Sequence, residues 1–378
     1  MEHVFFAVVQ PGFENAAAAE LGMIGISGVR TACTGGLEFS GRMEDCYRVN
    51  ACSRTVTRLL MRLGRFGSRD PERLYSGAKK IPWELLVGDG TKLKFSCSWK
   101  RSRLHFGEKI EKVLFEAISE RMAGCGLGVV LDDGSAAAQT IYARIENDVC
   151  EVSLDSTGPL LYRRGEKIRV SGAGLRETLA ALILHEAGIC GYDMIIDPMC
   201  GAGTFSIEAI GILLGRFPGT GRTFSFMDWP CFSPAAYANL VGRLARESEG
   251  RGGGLIALTG DIDEKSAAAA GRNLADAGLA EHADVRRRDF FRDAYDHPRG
   301  KKCLVVLNPP YGKRMRPGDI RGLYRMIGNT IRGKYADCGY AVISPGLEYE
   351  KIMSLPYDRK VLFMNGGLKV AAIFRDAK

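Results

Sequence analysis

The tetrapeptide Asn308-Pro309-Pro310-Tyr311 holds the residue types of this sequence that are best suited to chemistry. It follows the apolar run Cys303–Leu307, which predicts a strand buried on both faces. The amide oxygen of Asn308 and the carbonyl of Pro309 can accept the two N–H groups of a planar exocyclic amine, and Tyr311 can stack on the ring that carries the amine. Because ligands of open α/β sheets bind at the carboxyl ends of strands, the segment predicts a site for a flat amine. The alternative is a Pro-Pro turn with a core tyrosine.

A second site is predicted where a strand, a glycine turn and a helix follow one another. The predicted strand 194–197 ends on Asp197, and the turn residues that follow it are Pro198, Gly201, Gly203 and Thr204. A dinucleotide site would need a third glycine and an acid about 20 residues later. Here the next strand ends at Asp261, followed by Ile262; this acid suits a ribose diol, and nothing supplies a pyrophosphate cradle. The pattern therefore predicts a nucleoside cofactor without phosphates, S-adenosylmethionine, with Asp197 near its amino or methionine portion.

The elements that position these residues are predicted to form a parallel sheet with helices between its strands. Asp289 and Phe290 follow the third strand, where an acid and an aromatic ring can border an adenine. The last two strands, 360–364 and 368–374, are joined by Asn365-Gly366-Gly367, a strong hairpin signal. We therefore predict an α/β fold similar to the Rossmann-like class I methyltransferases, with seven strands and an antiparallel last hairpin. An α+β, ferredoxin-like region is predicted to precede it.

The net charge of +8 is concentrated around the Asn308 turn and indicates a polyanionic partner. Basic runs occupy 286–288, 299–302 and 313–316, and a basic rim around a pocket for a flat amine is typical of nucleic-acid binding. Solvated surface charge would explain any one run alone. A further basic segment precedes a helix predicted over 108–122 and could bind phosphate. The residues predicted to contact RNA are Lys100, Arg101, Arg103, His105, Arg163, Arg164, Lys313 and Arg314.

Composition argues against several other classes of protein. No apolar run is long enough to span a bilayer, and the N-terminus lacks the basic and apolar segments of a signal peptide. The eleven cysteines include no Cys-x-x-Cys pair, which is typical of reduced thiols in a cytosol rather than a zinc site. Cys200 is a candidate nucleophile, but no His neighbours it in sequence, and packing is the alternative. We predict a cytoplasmic monomer that binds neither metal nor membrane.

Residues 50–160 resemble a THUMP domain, an RNA-binding module of RNA-modifying enzymes. The resemblance depends on Leu74-Tyr75, Ile81-Pro82-Trp83, the segment 102–105 and the helix after it. With the turns at 197–204, 260–263 and 308–312 and with Asp289, residues 45–375 resemble the bacterial THUMP-containing 23S rRNA guanine-N2 methyltransferases. This resemblance implies three domains: an N-terminal α+β segment over 1–50, a THUMP-like RNA-binding domain over 51–160, and an S-adenosylmethionine-dependent methyltransferase domain over 161–378.

The resemblance also implies a reaction, the transfer of a methyl group from S-adenosylmethionine to the exocyclic N2 of a guanine. The implied target is 23S rRNA, and tRNA is the alternative. The implied catalytic residues are Asn308, Pro309 and Tyr311. The implied cofactor-binding residues are Glu177, Asp197, Pro198, Gly201, Gly203, Thr204, Asp261, Ile262, Asp289, Phe290 and Asn308.

Other functions stay open at this level. Asn-Pro-Pro-Tyr also occurs in adenine-N6 and protein-glutamine methyltransferases; the THUMP-like region favours RNA over protein, and guanine over adenine depends on the resemblance alone. A non-catalytic RNA-binding ribosome-assembly factor predicts decay of the cofactor turn, yet its acids and glycines are all present. A nicotinamide dehydrogenase is disfavoured by the missing third glycine.

Overall fold

The computed structural model describes residues 2–134, 138–164, 174–219, 221–249, 254–293, 295–296, 298, 300–310 and 317–377. Within these residues the chain forms two β-sheets with helices packed against them. Single turns of 3-10 helix occur at Trp83–Leu85, Ile189–Gly191, Ser225–Asp228 and Ala280–His282.

The first sheet belongs to the N-terminal part of the chain. Its strands are β1 (His3–Val8), β2 (Arg30–Cys33), β3 (Gly36–Gly41), β4 (Arg58–Gly67), β5 (Thr91–Lys100), β6 (Val129–Leu131), β7 (Gln139–Glu146) and β8 (Val149–Asp155). The helices of this part are α1 (Glu14–Met23), α2 (Met43–Cys52), α3 (Pro71–Lys79) and α4 (Gly107–Ala123). The strand order is β2-β3-β1-β4-β8-β7-β5-β6.

Strand β4 joins the two halves of this sheet, since it pairs with β1 on one side and with β8 on the other. The strands of the predicted segments 1–50 and 51–160 therefore share one sheet, while the division into domains stays a prediction. The helices cover the sheet with apolar faces. In α4 the buried residues recur every three or four positions, the spacing of one helix face: Ile110, Leu114, Ala117, Ile118 and Met122.

The second sheet belongs to the C-terminal part of the chain. Its strands are β9 (Met194–Asp197), β10 (Ala257–Asp261), β11 (Ala283–Arg287), β12 (Cys303–Leu307), β13 (Gly339–Ser344), β14 (Arg359–Asn365) and β15 (Leu368–Arg375). The helices of this part are α5 (Glu177–Glu186), α6 (Thr204–Leu213), α7 (Pro234–Ser248), α8 (Glu264–Asp276), α9 (Pro317–Lys334) and α10 (Leu347–Met353).

The strand order β11-β10-β9-β12-β13-β15-β14 confirms the predicted fold class. Strands β9 to β13 pair in parallel, whereas β15 runs antiparallel to both β13 and β14. The strand order reverses at β9, which lies between β10 and β12. Such a switch point opens a crevice at the carboxyl ends of the strands. Asp197 and Asn308 belong to this crevice, since β9 and β12 are hydrogen-bonded neighbours.

The insertion between α6 and β10 connects the two parts of the molecule. Its helix α7, which the sequence analysis does not predict, contacts α2. The ring of Phe226 stacks on Tyr47 with centroids 4.8 Å apart, and Trp229 Nε1 donates a hydrogen bond of 2.9 Å to Gln139 Oε1. The insertion thus holds the N-terminal sheet beside the sheet that carries the crevice.

Candidate active site

A cleft with a volume of about 460 Å³ lies at the carboxyl ends of β9, β10, β11 and β12. The turns that follow these four strands supply most of its wall. The sequence-predicted residues that line it are Pro198, Gly201, Thr204, Asp261, Ile262, Asp289, Phe290 and Asn308. Residues from four separate stretches of sequence thus meet in one place, as the predicted sheet requires.

The glycine turn between β9 and α6 is held open toward the cleft. Gly201 and Gly203 have φ angles of 53° and 83°, in the left-handed region that glycine adopts without strain. The Cβ of any larger residue at Gly203 would lie 3.1 Å from Ala270 Cβ, so the turn packs tightly on α8. A Cβ at Gly201, in contrast, would meet nothing within 4 Å and would point into space that a ligand can use.

Asp261 fixes this turn from the next strand and still has capacity for a ligand. Its carboxylate accepts hydrogen bonds from the backbone N–H of Gly201 at 2.9 Å and of Asp263 at 3.0 Å. Each carboxylate oxygen can accept a second hydrogen bond, which suits the hydroxyls of a ribose. Asp263 is committed elsewhere, since its side chain caps α8 by accepting from Ser266 N at 3.0 Å. Asp261 is therefore the acid at this strand end that can bind a diol.

Asp197 lies beneath the cleft and does not line it. Asp197 is 1% exposed, and its carboxyl group accepts a hydrogen bond of 2.9 Å from Ser206 Oγ, which also lies 2.7 Å from Thr259 Oγ1. Burial, together with the nearby charge of Asp261, raises the pKa of Asp197 to about 7 against the opposing effect of Ser206. The geometry makes Asp197 a support of the glycine turn, and its contact with a methionine portion stays a prediction.

Cys200 lines the cleft as a buried thiol. Burial raises its pKa, and the carboxylates of Asp197 and Asp261 raise it further. A thiol that stays protonated is a poor nucleophile. The packing alternative therefore fits Cys200 better than the nucleophile alternative.

Apolar and acidic groups form the end of the cleft where an adenine was predicted. The Ile262 side chain is 63% exposed although it is apolar, and it lines the cleft. Phe290 is fixed from behind, because its ring stacks on Tyr335 at 5.8 Å. Asp289 shapes the turn by accepting from Phe291 N at 2.9 Å. This wall suits a flat heterocycle with one polar edge.

Among the described residues of the wall, Asn308 provides the one side-chain polar atom that is buried and unused. Its Oδ1 has no hydrogen-bond donor among the residues that the structure describes. Leaving such an acceptor buried costs about 1–3 kcal/mol, so a ligand donor is its natural partner. Pro310 lines the cleft beside it, and Pro309 is buried. Tyr311, together with Lys313 and Arg314, lies outside the described residues.

Sequence reasoning missed part of the lining. These residues are Gly174, Leu175, Met199, Ala202, Phe205, Ser266, Arg288, Phe291, Pro310 and Leu323. Some were recognisable from their position, since Arg288 and Phe291 flank the predicted pair 289–290. Glu177, which was predicted to bind the cofactor, begins α5 two residues beyond Leu175 and does not itself line the cleft.

The predicted RNA-contacting residues divide into two groups. Lys100, at the end of β5, and Arg101, Arg103 and His105, which follow it before α4, are exposed and do not line the cleft; Arg163 is also exposed. Arg164 is different, because it is 8% exposed and its Nε and a terminal nitrogen each donate to Glu208 at 3.2 Å. Its remaining donors reach backbone carbonyls of residues 53, 54 and 161. In this structure Arg164 is therefore bonded within the protein, and its contact with RNA stays a prediction.

Two findings concern the described part of the chain as a whole. There, no group of three or more His, Cys, Asp or Glu side chains converges as metal ligands. Of the helices described above, none is both long enough and apolar enough to cross a membrane.

Two family models match the chain. A model described as an RMKL-like methyltransferase domain matches residues 164–372, and one described as an RlmL ferredoxin-like domain matches residues 4–60. The first spans all the elements that build the cleft, and the second spans β1 to the start of β4.

Curated relatives are similar over nearly the whole chain. The "Ribosomal RNA large subunit methyltransferase K/L" of Methylococcus capsulatus is 30% identical over 98% of this chain and 50% of its own length. The chain thus spans about half the length of the K/L relatives it matches. The "Putative RNA methyltransferase slr0064" of Synechocystis sp. is 30% identical over 96% of this chain and 94% of its own length.

Solved structures share the fold over the full chain. The structure of SMU.472 complexed with SAH has a TM-score of 0.87 at 23% identity and covers 100% of this chain and 98% of its own. A structure titled as a possible methylase from Clostridium difficile 630 has a TM-score of 0.88 at 24% identity, with 100% and 99% covered.

Proposed function

The chain belongs to the RMKL-like methyltransferase family, and from this premise we propose that it methylates RNA. The proposed reaction moves a methyl group from S-adenosylmethionine to the exocyclic N2 of a guanine. The proposed target is 23S rRNA, since the K/L relatives are named for the RNA of the large ribosomal subunit. Residues 51–160 are proposed as the RNA-binding domain, and the protein is proposed to act as a cytoplasmic monomer.

The unused acceptor of Asn308 carries this proposal. A buried amide oxygen with no donor among the described residues, at the wall of a cleft, favours a substrate that brings an N–H group. With the neighbouring Pro309 carbonyl it would hold both hydrogens of an exocyclic amine and turn the nitrogen lone pair toward the cleft. Alignment of this kind supplies a large part of a methyltransferase's rate. No general base is assigned, because the amine proton can leave after transfer.

The lining fits the cofactor that the family requires. Asp261 would accept the ribose hydroxyls, Ile262 and Phe290 would border the adenine, and the open side of Gly201 would face the methionine portion. When bound, S-adenosylmethionine supplies a methyl group made electrophilic by its sulfonium. The protein's own part is to orient the amine and to exclude water from the cleft.

The test is methyl transfer from labelled S-adenosylmethionine to total RNA of a strain that lacks this gene, followed by nucleoside analysis by mass. Label in N2-methylguanosine of the large ribosomal RNA is the expected result. The same nucleoside in tRNA would indicate tRNA as the target. N6-methyladenosine would indicate adenine as the methylated base. Binding of S-adenosylmethionine with no labelled RNA would overturn the proposal and turn attention to protein substrates or to ribosome assembly without catalysis.

A further inference from the structure

Three aromatic rings are exposed around the junction of β5 and α4. Trp99 is 43% exposed and Phe106 is 63% exposed, and His105 is exposed next to Phe106 in the sequence. The other two tryptophans, Trp83 and Trp229, are 0% and 3% exposed. Water contact with large apolar rings is unfavourable, and a group of them on one surface is typical of a binding site.

The three rings are held in place before any ligand arrives. Trp99 packs over the start of α4, where a Cβ on Gly107 would lie 3.4 Å from its ring. The His105 and Phe106 rings are 4.2 Å apart between centroids, tilted by 40°. A rigid arrangement loses little conformational entropy on binding.

The segment that carries the rings is anchored to the β7–β8 hairpin. Arg103 N donates to Asp148 Oδ1 at 2.7 Å, and Asp148 N donates to Ser102 Oγ at 3.1 Å. Asn147 N donates to the Lys100 carbonyl at 3.2 Å. Hydrogen bonds therefore fix the strand end and the middle of the turn between the strand and the helix.

Cations lie between the rings along the same segment. Lys100, Arg101 and Arg103 are exposed. Lys100 and Arg103 approach Glu146 and Asp148 only at 3.7 Å and 4.0 Å, and Arg101 has no acid within 4.0 Å among the described residues. Surface ion pairs of this length contribute little to stability, so the three cations can still bind an anion. Charge alone fits any anion, but cations together with flat rings fit a chain of bases joined by phosphates.

We propose that Trp99, His105 and Phe106 form a stacking platform for unpaired bases of the substrate RNA, flanked by Lys100 and Arg101 as phosphate contacts. This inference rests on the proposed RNA methylation and specifies its substrate class. The substrate presents a single-stranded stretch to this surface in addition to the target nucleotide in the cleft. Duplex RNA does not qualify, because its base faces are covered by their neighbours.

Trp99 allows a direct optical test, since it is the exposed one of the three tryptophans. A short single-stranded RNA is titrated into the full chain, and its duplex form serves as the second ligand. We expect the single strand to quench the tryptophan fluorescence and to bind more tightly by anisotropy of a terminal label. Trp99→Phe should lose most of the quenching and keep the affinity, because it retains a ring.

Variants separate stacking from charge. Phe106→Leu keeps the apolar character but removes the ring, and we expect binding weaker by roughly 5- to 150-fold, the value of one base–aromatic stack. Leu85→Ala, at a residue 52% exposed in the same part of the chain, is the matched control and should bind as the unmodified protein does. Arg101→Ala should reduce the slope of log affinity against log salt by about 0.7, whereas Phe106→Leu should leave that slope unchanged.

Equal affinity for the duplex and the single strand would overturn the inference, as would unchanged binding by Phe106→Leu. An acidic peptide that displaces the RNA and binds more tightly would also overturn it and would indicate a protein partner. The assay needs no methyl transfer. Normal methylation with unaffected Phe106→Leu binding therefore rejects this inference alone, and weakened binding without any RNA methylation rejects the proposed reaction alone.

Discussion

At the scale of single residues, two polar side chains at the ends of neighbouring strands have opposite environments. Asp197 is buried with a hydrogen-bond partner, Ser206, whereas the buried Oδ1 of Asn308 has none in the described part of the chain. The hydrogen bond of Asp197 stabilises a turn. The buried oxygen of Asn308 costs folding free energy unless a ligand donates a hydrogen bond to it. The difference between them separates a supporting residue from a substrate-binding residue, although both end a strand of the same sheet.

Asn308→Ala is expected to lower the rate of methyl transfer by about 100-fold or more, because a misaligned amine loses the benefit of orientation. Binding of S-adenosylmethionine, measured by calorimetry, should change little. Asn329→Ala is the matched control, an exposed asparagine on α9. A parallel loss of cofactor binding and transfer in Asn308→Ala would contradict the role given to this side chain.

Asp197→Asn is expected to change how stability depends on pH. Burial raises the folded-state pKa of Asp197 to about 7, above the value of about 3.9 for an unfolded chain. Between these values the folded protein holds a proton that the unfolded chain has lost, so raising the pH weakens folding, by at most about 1.4 kcal/mol per pH unit.

The neutral amide removes this ionisation. Between pH 4 and 7, the free energy of unfolding measured in urea should therefore decline more steeply for the unmodified protein than for Asp197→Asn. The control is Asp276→Asn, at an exposed site on α8. Identical slopes for the unmodified protein and Asp197→Asn would show that this carboxyl does not titrate in the window.

At the scale of elements, the sequence predicts buried strands better than surface helices. The bounds of β9 and β12 agree with the predicted runs because strands buried on both faces are short, unbroken apolar segments. Helix α7 was missed inside the insertion. A local signal existed, since Ser233 caps the helix by accepting from Ala236 N at 3.3 Å and a proline follows it. The apolar face of α7 is explained only by its packing on α2, which the sequence does not show.

Gly203→Ala tests the turn between β9 and α6. The added methyl group would combine strain at a φ of 83° with a 3.1 Å approach to Ala270 Cβ. We expect the free energy of unfolding to fall by about 1–2 kcal/mol from backbone strain and by a further amount of about 1–3 kcal/mol from overpacking. Binding of S-adenosylmethionine should also be weaker. Unfolding in urea and calorimetry provide the two measurements.

Gly25→Ala is the matched control for this turn, because Gly25 has a φ of 88° with nothing within 4 Å of its Cβ position. It should show the backbone loss alone and leave cofactor binding unchanged. If both variants lose the same stability, the contact with α8 does not constrain the turn.

At the scale of the whole molecule, contacts between distant parts of the chain decide roles that sequence position cannot. Arg163 and Arg164 are neighbours in the sequence and share one predicted role, yet the first is exposed and the second is buried. Arg54 and Arg164 both form ion pairs with Glu208 of α6. These pairs connect the N-terminal part of the chain to the helix that follows the glycine turn. The order of the loops around the cleft can be predicted from the pattern of strands. The ion pairs of Glu208 with Arg54 and Arg164 arise from tertiary packing alone.

Glu208→Gln tests that junction. Burial alone would raise the pKa of Glu208, but the guanidiniums of Arg164 and Arg54 lower it, so the carboxylate is charged between two buried cations. The amide would leave those cations uncompensated, and we expect a loss of about 3–5 kcal/mol in urea unfolding. Glu348→Gln, from an exposed pair with Arg321, should lose under about 1 kcal/mol. Equal losses in the two variants would mean that the buried cluster does not hold the two sheets together.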